Sequence, residues 1–445
     1  MVDRRGILIS SLLLILLILS KPLASLYTSN NPLPYLNEPV KLGVWIVYIM
    51  TTILLLYYLL SLQKAYSFRP PTKKNTGTVA VAITYADQPE DVVLPALKGM
   101  SKLRGVDSFY LGDNSRKEEN SSRAKRWAKQ FGFKYIRIPP RDLSWKCDTL
   151  SVLLDHVRED YLFILDKDEV CHEDTVLKLK PYLDSDVVYV QSMKLEKGKS
   201  LISRAMAEYN SFFYKVVEPI LGTGGKAYFG GSLALLNVSK VRRLGGFSTI
   251  LEDINLSVRT LFSGYKGYFI SEEFSIGHEE GEYCLFLKRH LRYTFGTVSL
   301  IRKYVSRVFA PSYPMVMGHL LSPTFLSLGL LGLGFVSAYT GSVYLLLYPV
   351  LLFVLLSIAT ALDPFIGLIA FLLNQSLLVW RIRGILWGLY KERIPWNINR
   401  LTPIPELLVL LLPLPFIHGL VMWLFYILYV SPVVFPLLLC RSVYW

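Results

Sequence analysis

Tyr161-Leu162-Phe163-Ile164-Leu165 runs directly into Asp166-Lys167-Asp168-Glu169, and this junction decides how the chain is read. The apolar run is too short for a helix and is bounded by charge, so it reads as a strand buried on both faces. The acids that follow then sit at its carboxyl end. Working outward, strand-like runs occupy residues 79–83, 106–111, 135–138 and 187–190. Helical patterns at 90–103, 118–131, 146–157 and 173–183 lie between them, each long enough for about three turns. Strands alternating with helices give a largely parallel sheet covered by helices, which binds ligands beyond the carboxyl ends of its strands. Acids stand at three of those ends: Asp87, Asp113 and the Asp166–Glu169 group. A single acid after a strand, as Asp87 is when taken alone, is usually a turn former or helix cap. Together the acids repel one another unless a cation joins them, and a hard divalent ion takes one or two carboxylates plus phosphate oxygens. The pattern therefore predicts a nucleotide diphosphate site.

Composition places this α/β unit beside lipid. The 445 residues are 52% hydrophobic with a mean hydropathy of +0.38, too apolar for a fully soluble chain. Charged residues are dense between Lys64 and Arg307 and sparse outside. The net charge of +14 comes from basic residues that flank apolar runs, as at Arg4-Arg5, 64–74 and 381–400. Basic clusters so placed suit the anionic cytoplasmic face of a membrane. Nucleic acid is not an expected partner, because neither zinc-ligand spacing nor an RNA-recognition motif is present. Cys147, Cys171, Cys284 and Cys440 lack paired spacing and are expected to be reduced and buried. The six histidines show no metal-ligand spacing.

Residues 6–20 suit either a signal-peptide core or the first limb of a membrane hairpin, whose second limb is 42–62. Positive charge before the first run and after the second favours the hairpin, with both ends in the cytosol. Apolar stretches at 314–339, 343–362, 365–380 and 407–439 follow the charged unit. Keeping Arg381, Arg383, Lys391, Arg393 and Arg400 cytosolic requires an even number of crossings, so one of the three preceding runs is re-entrant or interfacial. The prolines Pro413, Pro415, Pro432 and Pro436 break the last stretch.

With these residues in view, positions 78–304 resemble the inverting family-two glycosyltransferases of the GT-A fold. The likeness is to the membrane-embedded branch with cellulose, chitin and hyaluronan synthases and ceramide glucosyltransferases. The resemblance implies that Asp113, within Leu111-Gly112-Asp113-Asn114-Ser115, contacts base and ribose, with Asp87 at the same nucleotide-sugar site. It implies that Lys146 contacts the diphosphate, and that Asp166 and Asp168 form the D-x-D that holds Mg²⁺ or Mn²⁺. Phe229-Gly230-Gly231-Ser232 resembles the acceptor-lining stretch, giving Gly231 and Ser232 that role. The family's T-E-D appears as Leu251-Glu252-Asp253. Asp253 is then the general base for the acceptor hydroxyl, with Glu252 beside it on the acceptor side. The pair reads otherwise as a cap for the following helix. Q-x-x-R-W is replaced by Arg289-His290-Leu291-Arg292-Tyr293, with Arg292 balancing diphosphate charge and Arg289 and Tyr293 facing the acceptor.

Leu287, Leu291, Thr294, Val298, Ile301, Val305 and Val308 recur at helical spacing, with Lys288, Arg289, Arg292, Arg302, Lys303 and Arg307 mostly on other faces. That pattern predicts an amphipathic helix on the membrane surface, or else one packed on the α/β unit with solvated charges. The expected architecture is an α/β GT-A (Rossmann-like) cytosolic domain at 75–283 between transmembrane helices. A hairpin at 1–63 precedes it; an interfacial helix at 284–310 and a transmembrane region at 311–445 follow. The whole is expected to be a multi-pass protein of the cell membrane. Its expected partners are a UDP- or GDP-sugar, membrane lipids, and a lipid or growing glycan acceptor. Polysaccharide synthesis with coupled translocation, single-sugar transfer to a membrane lipid, and a nucleotide-binding transporter all remain open on these grounds. Product length separates the first two, and the role of Asp253 separates both from the third.

Overall fold

The computed structural model describes residues 61, 64–139, 146–278, 282–310, 313, 364–394, 401, 403–411 and 423–440. The expected segments at 6–20, 314–339 and 343–362 lie outside these residues, as does 42–62 apart from Ser61.

The first half alternates as the sequence predicts: β1 (Val79–Tyr85), α1 (Glu90–Met100), β2 (Ser108–Asp113), α2 (Glu118–Phe131), β3 (Lys134–Arg137), α3 (Lys146–His156) and β4 (Tyr161–Ile164). The second half runs β5 (Glu169–Cys171), α4 (Thr175–Leu179), β6 (Val187–Lys197), α5 (Leu201–Phe212), a π-helical turn (Phe213–Val217), α6 (Glu218–Gly222), β7 (Ala234–Asn237), α7 (Val238–Arg243), α8 (Glu252–Phe262) and β8 (Lys266–His278). The strands form one sheet in the order β3-β2-β1-β4-β7-β6-β8-β5. β1 through β4 pair in parallel, but β7 is antiparallel to both β4 and β6, and β5 is antiparallel to β8. The largely parallel sheet expected from the sequence is thus half of a mixed one. β5, with three residues, is too short to show a pattern of its own.

The two-residue period of a strand divides the core. Ala80 and Ala82 of β1, with Leu162 and Ile164 of β4, join a cluster containing Leu150 and Leu153 of α3. Val79, Val81 and Ile83, with Phe163 and Leu165, join Val93 and Leu97 of α1 on the opposite face.

The α3 side of the sheet also carries α9 (Tyr283–Tyr304) and, beyond it, α10 (Pro364–Ser376) and α11 (Leu378–Tyr390). Leu287 and Leu291 of α9 are fully buried. Side chains on Gly384 and Gly388 of α11 would stand 2.8 Å from Thr294 and 2.7 Å from Val298 of α9. Small residues four apart let the two helices cross at this distance. The apolar stripe expected to lie on the membrane is therefore covered by protein over its first half. Among the described residues no single helix is long and apolar enough to cross a membrane. α10 and α11 satisfy that test only together, across a 41° bend.

Two further expectations need correction. Arg381 and Arg383, expected to face anionic lipid, are buried in the protein: Arg381 donates to the Tyr209 hydroxyl at 2.5 Å and to Asn374 Oδ1 at 2.9 Å, and Arg383 pairs with buried Glu406 of α12 (Ile404–Leu411). Their charges are tolerated inside because each has an acceptor there. Nor are all four cysteines reduced. Cys284, at the start of α9, forms a disulfide with Cys440, just after α13 (Phe435–Leu439); Cys147 and Cys171 are free and buried. The pair lies 156 residues apart, so only the fold brings the two together.

Candidate active site

The carboxyl ends of β1, β2 and β4 open on one edge. Asp87, in the left-handed region at φ 64°, aims its carboxylate at the amino end of α2, accepting from Arg116 N at 2.9 Å and Asn120 Nδ2 at 2.8 Å. It serves as a helix cap supplied from outside the helix, complementing the positive end of the dipole. Burial disfavours its ionised form, but these hydrogen bonds outweigh burial and hold the carboxyl below its ordinary range. Asp113 ends β2 completely buried, where it accepts from Ser115 N (2.9 Å), Ser115 Oγ (2.5 Å), Ser121 Oγ (2.7 Å) and the Tyr135 hydroxyl (2.7 Å). Both carboxylates are occupied by protein groups.

The acids after β4 differ. Asp166 Oδ1 accepts from Lys146 Nζ at 2.5 Å, and the same ammonium donates to the Gly231 carbonyl at 2.9 Å. Burial would raise the Asp166 pKa; the charges of Lys146 and Lys194 hold it down at about 2. Asp168 is half-exposed and makes no hydrogen bond or ion pair among the described residues. Glu169 is fully buried; it accepts from Ser232 Oγ at 2.5 Å and pairs with Lys194, while Ser232 Oγ itself accepts from Asp166 N at 2.8 Å. Among the described residues no three His, Cys, Asp or Glu side chains close round a cation.

Glu252 and Asp253 open the first turn of α8. Ser257, one turn on, donates to the Asp253 carbonyl and accepts from Phe229 N, both at 2.8 Å, which ties α8 to the 229–232 strip. Gly231 is the point of contact between the two groups of acids. At φ 82° it occupies a backbone conformation that favours glycine, and a Cβ there would lie 3.0 Å from Asp253 Oδ2. Its carbonyl meanwhile receives Lys146. The Lys146 ammonium, which burial would disfavour, is kept charged by Asp166, Glu252 and Asp253. Burial, together with the charge of its neighbour, raises Glu252 to about 8. Burial raises Asp253 to about 6, although the Ile254 N–H and Lys146 act against it. A carboxylate with that pKa is a competent proton acceptor near neutral pH.

α9 lies beyond this pair. Tyr293 is 46% exposed, and the charges of Arg289 and Asp253 both reach its hydroxyl. Burial lowers Arg292 to about 10, so it keeps its charge at neutral pH. His290 is buried with its ring edge-on to Phe286, Tyr209 and Tyr293. Burial and Arg381 hold His290 well below its usual range, which makes it neutral. Lys146, Asp166, Gly231, Ser232, Glu252 and Asp253 are therefore gathered in one crevice, with Arg289, Arg292 and Tyr293 on the neighbouring helix. Asp87 and Asp113 support its other end from within the fold.

Lys194 and Tyr214 were not singled out by the sequence. Lys194 lies beyond the four-residue apolar run of β6, and shifts in the β6–β8 register on both sides of Met193 change which residues face the crevice there. Tyr214 stands in the π-helical turn and reaches the Gly230 carbonyl at 3.3 Å. Such turns interrupt the ordinary helical repeat and are frequent at functional sites. Nothing in the local sequence announces either feature.

Residues 161–373 match the family model for glycosyl transferase family group 2. The match begins at β4, takes in the D-x-D, the Gly231 strip, the Glu252-Asp253 pair and α9, and ends within α10. Comparison with curated proteins gives no match. The structure is similar to that of the mannosyltransferase PcManGT from Pyrobaculum calidifontis in complex with GDP-Man and Mn²⁺, at 16% identity and a TM-score of 0.50. That alignment covers 79% of this chain and 100% of the other. At this identity the likeness speaks for the fold, which is GT-A-like. A weaker likeness, to GalNAc-T7 with UDP, GalNAc and Mn²⁺, has a TM-score of 0.36 at 13% identity over 45% of this chain and 43% of the other.

Proposed function

We propose that this protein is an inverting, membrane-held glycosyltransferase that uses a nucleotide diphosphate-sugar as donor. The observation that carries the reading is Gly231. One residue receives the Lys146 ammonium on its carbonyl and sits against Asp253 on its α-carbon, so the diphosphate end and the base end share a single crevice. Asp166 and Asp168 would hold Mg²⁺ or Mn²⁺. Their hard oxygens suit either ion, and one free carboxylate beside a paired one leaves coordination positions for the donor's phosphates. Bound there, the ion would neutralise charge on the departing diphosphate.

The chain's own residues supply the remainder. Lys146 binds the diphosphate, and Asp113 and Asp87 fix the loops on which base and ribose rest. The acceptor hydroxyl stands against Asp253, flanked by Arg289 and Tyr293, with Glu252 largely protonated at neutral pH, while Ser232 braces Asp166 and Glu169 from behind. Asp253 takes the hydroxyl proton as the acceptor oxygen forms its bond to the anomeric carbon. The bond from that carbon to the diphosphate breaks on the opposite face, its electron pair leaves with the phosphate, and Arg292 faces the charge that develops. Inversion follows from displacement in a single step. A membrane-associated acceptor, either a lipid or a growing glycan, is supported by the apolar carboxy-terminal helices packed along α9. A multi-pass protein with its catalytic domain on the cytosolic side is supported by the positive charge before residues 6–20 and after 42–62.

The test is release of nucleoside diphosphate from UDP- and GDP-sugars by the detergent-purified protein, with Mn²⁺ or Mg²⁺ and added membrane lipids. One donor is expected to be consumed. Asp253→Asn is expected to keep donor binding and lose turnover by about 10³-fold, within the range for general base catalysis. Undiminished turnover in that variant would overturn the assignment. Product length then distinguishes a polymer from a single-sugar lipid.

A further inference from the structure

Lys194 has no place in the chemistry above, yet its ammonium stands among three carboxylates. Its ammonium pairs with Glu169 and lies 4.0 Å from Asp166 Oδ2 and 3.8 Å from Glu196 Oε1, with only 13% of the side chain exposed. Glu169 is fully buried and cannot be neutralised by solvent ions. Asp166 thus stands between two lysines, with Lys146 on one oxygen and Lys194 towards the other. A fixed positive charge this close to a metal-ligand candidate repels a divalent ion and competes for the same oxygen.

We propose that Lys194 is a tethered counter-ion that weakens metal binding to the donor-free site, so that the divalent ion enters only together with the diphosphate. Lys194 is a positioning residue here, acting on Asp166 and Glu169, and the inference rests on the reading of Asp166 and Asp168 as metal ligands. The diphosphate brings negative charge that offsets the ammonium and supplies the remaining oxygen ligands. An ion bound without donor would otherwise occupy the crevice unproductively.

The experiment is Mn²⁺ binding to the full-length, detergent-purified protein without nucleotide, followed by electron paramagnetic resonance. Lys194→Met is expected to bind Mn²⁺ about tenfold more tightly than wild type, since it removes one repelling charge at short range. Lys194→Arg is expected to restore the wild-type affinity, and Asp168→Asn is expected to abolish binding in either background. Unchanged or weaker binding in Lys194→Met would overturn the proposal. If that variant does not fold because Glu169 is left buried and unpaired, Glu169→Gln with Lys194→Met removes both charges. The double variant must then bind more tightly than Glu169→Gln alone, and equal affinities would overturn the proposal. Failure of the glycosyltransferase reading looks different: Mn²⁺ binding would respond to Lys194 while no sugar donor was consumed.

Discussion

The two halves of this molecule are built on different principles. From β1 to β3, each strand pairs with the next in sequence, each helix returns directly to cover the sheet, and β4 then pairs in parallel with β1. From β5 onward the partners are distant: β5 joins β8, β7 inserts between β4 and β6, and α9 is covered by α11. The first half contributes Asp87, Asp113, Lys146 and Asp166. The second contributes Gly231, Glu252, Asp253, Arg292 and Tyr293. On the proposed reading, the first half presents the donor end of the crevice, and the second closes over it to present the base and the acceptor end. Perturbing the second half should therefore leave donor binding standing.

The largest such effect is expected at the disulfide. Cys284–Cys440 closes a loop over a separation of 156 residues that contains α10 and α11. In the chain-entropy account a link of that span contributes up to about 5 kcal/mol. Reduction, or Cys284→Ser, is expected to lower the melting temperature sharply while nucleotide binding, proposed for the first half, persists below the new transition. Cys147 and Cys171 are thiols already, so the reductant acts on this pair alone. A melting curve indifferent to reductant would show that the carboxy-terminal half is held by packing without help from the link.

The α9–α11 crossing offers a smaller and more local perturbation. Gly384→Val introduces methyl groups where even a Cβ would be 2.8 Å from Thr294 and 2.9 Å from the Leu291 carbonyl. Overpacking of this kind costs about 1–3 kcal/mol. Because α9 also carries Arg289, Arg292 and Tyr293, the substitution is expected to raise the acceptor KM more than the donor KM. Steady-state kinetics with each substrate varied separately decide the matter. An equal rise in both would mean that the halves are mechanically one.

The same division explains what the sequence made legible. The ends of α2 and the starts of β1, α3, β4 and β6 could be placed from alternation and helical period, because the residues that cover these elements follow directly in the chain. The acids at strand ends were visible for the same reason. Their roles differed, since whether a carboxylate faces solvent depends on partners such as Tyr135 and Asn120, which spacing does not reveal. Arg381 read as a juxtamembrane charge facing anionic lipid, and the hydroxyl that receives it belongs to Tyr209, far upstream. Lys194 depended on a register shift, and Cys284 on a partner near the other end of the chain. In each case the missing information was a contact between distant segments.

Asp253 lies where the halves meet, so the pH dependence of turnover reports on the seam itself. Burial raises its pKa from the ordinary 3.8 to about 6, against the opposing pull of the Ile254 N–H and Lys146. A base must be deprotonated to act. kcat/KM is therefore expected to be level above pH 7 and to fall as pH drops through about 6, approaching tenfold per unit below it. Lys146→Met removes a cation that favours the carboxylate, so the inflection should move to higher pH in that variant, even where its donor KM has risen. Loosening α9 through Gly384→Val should admit water near Tyr293 and move the inflection the other way, towards the ordinary carboxylate range. Opposite displacements from the two sides would place the base under the joint control of both halves. A profile that shifts with Lys146 alone would assign its tuning to the donor half and leave α9 to hold the acceptor.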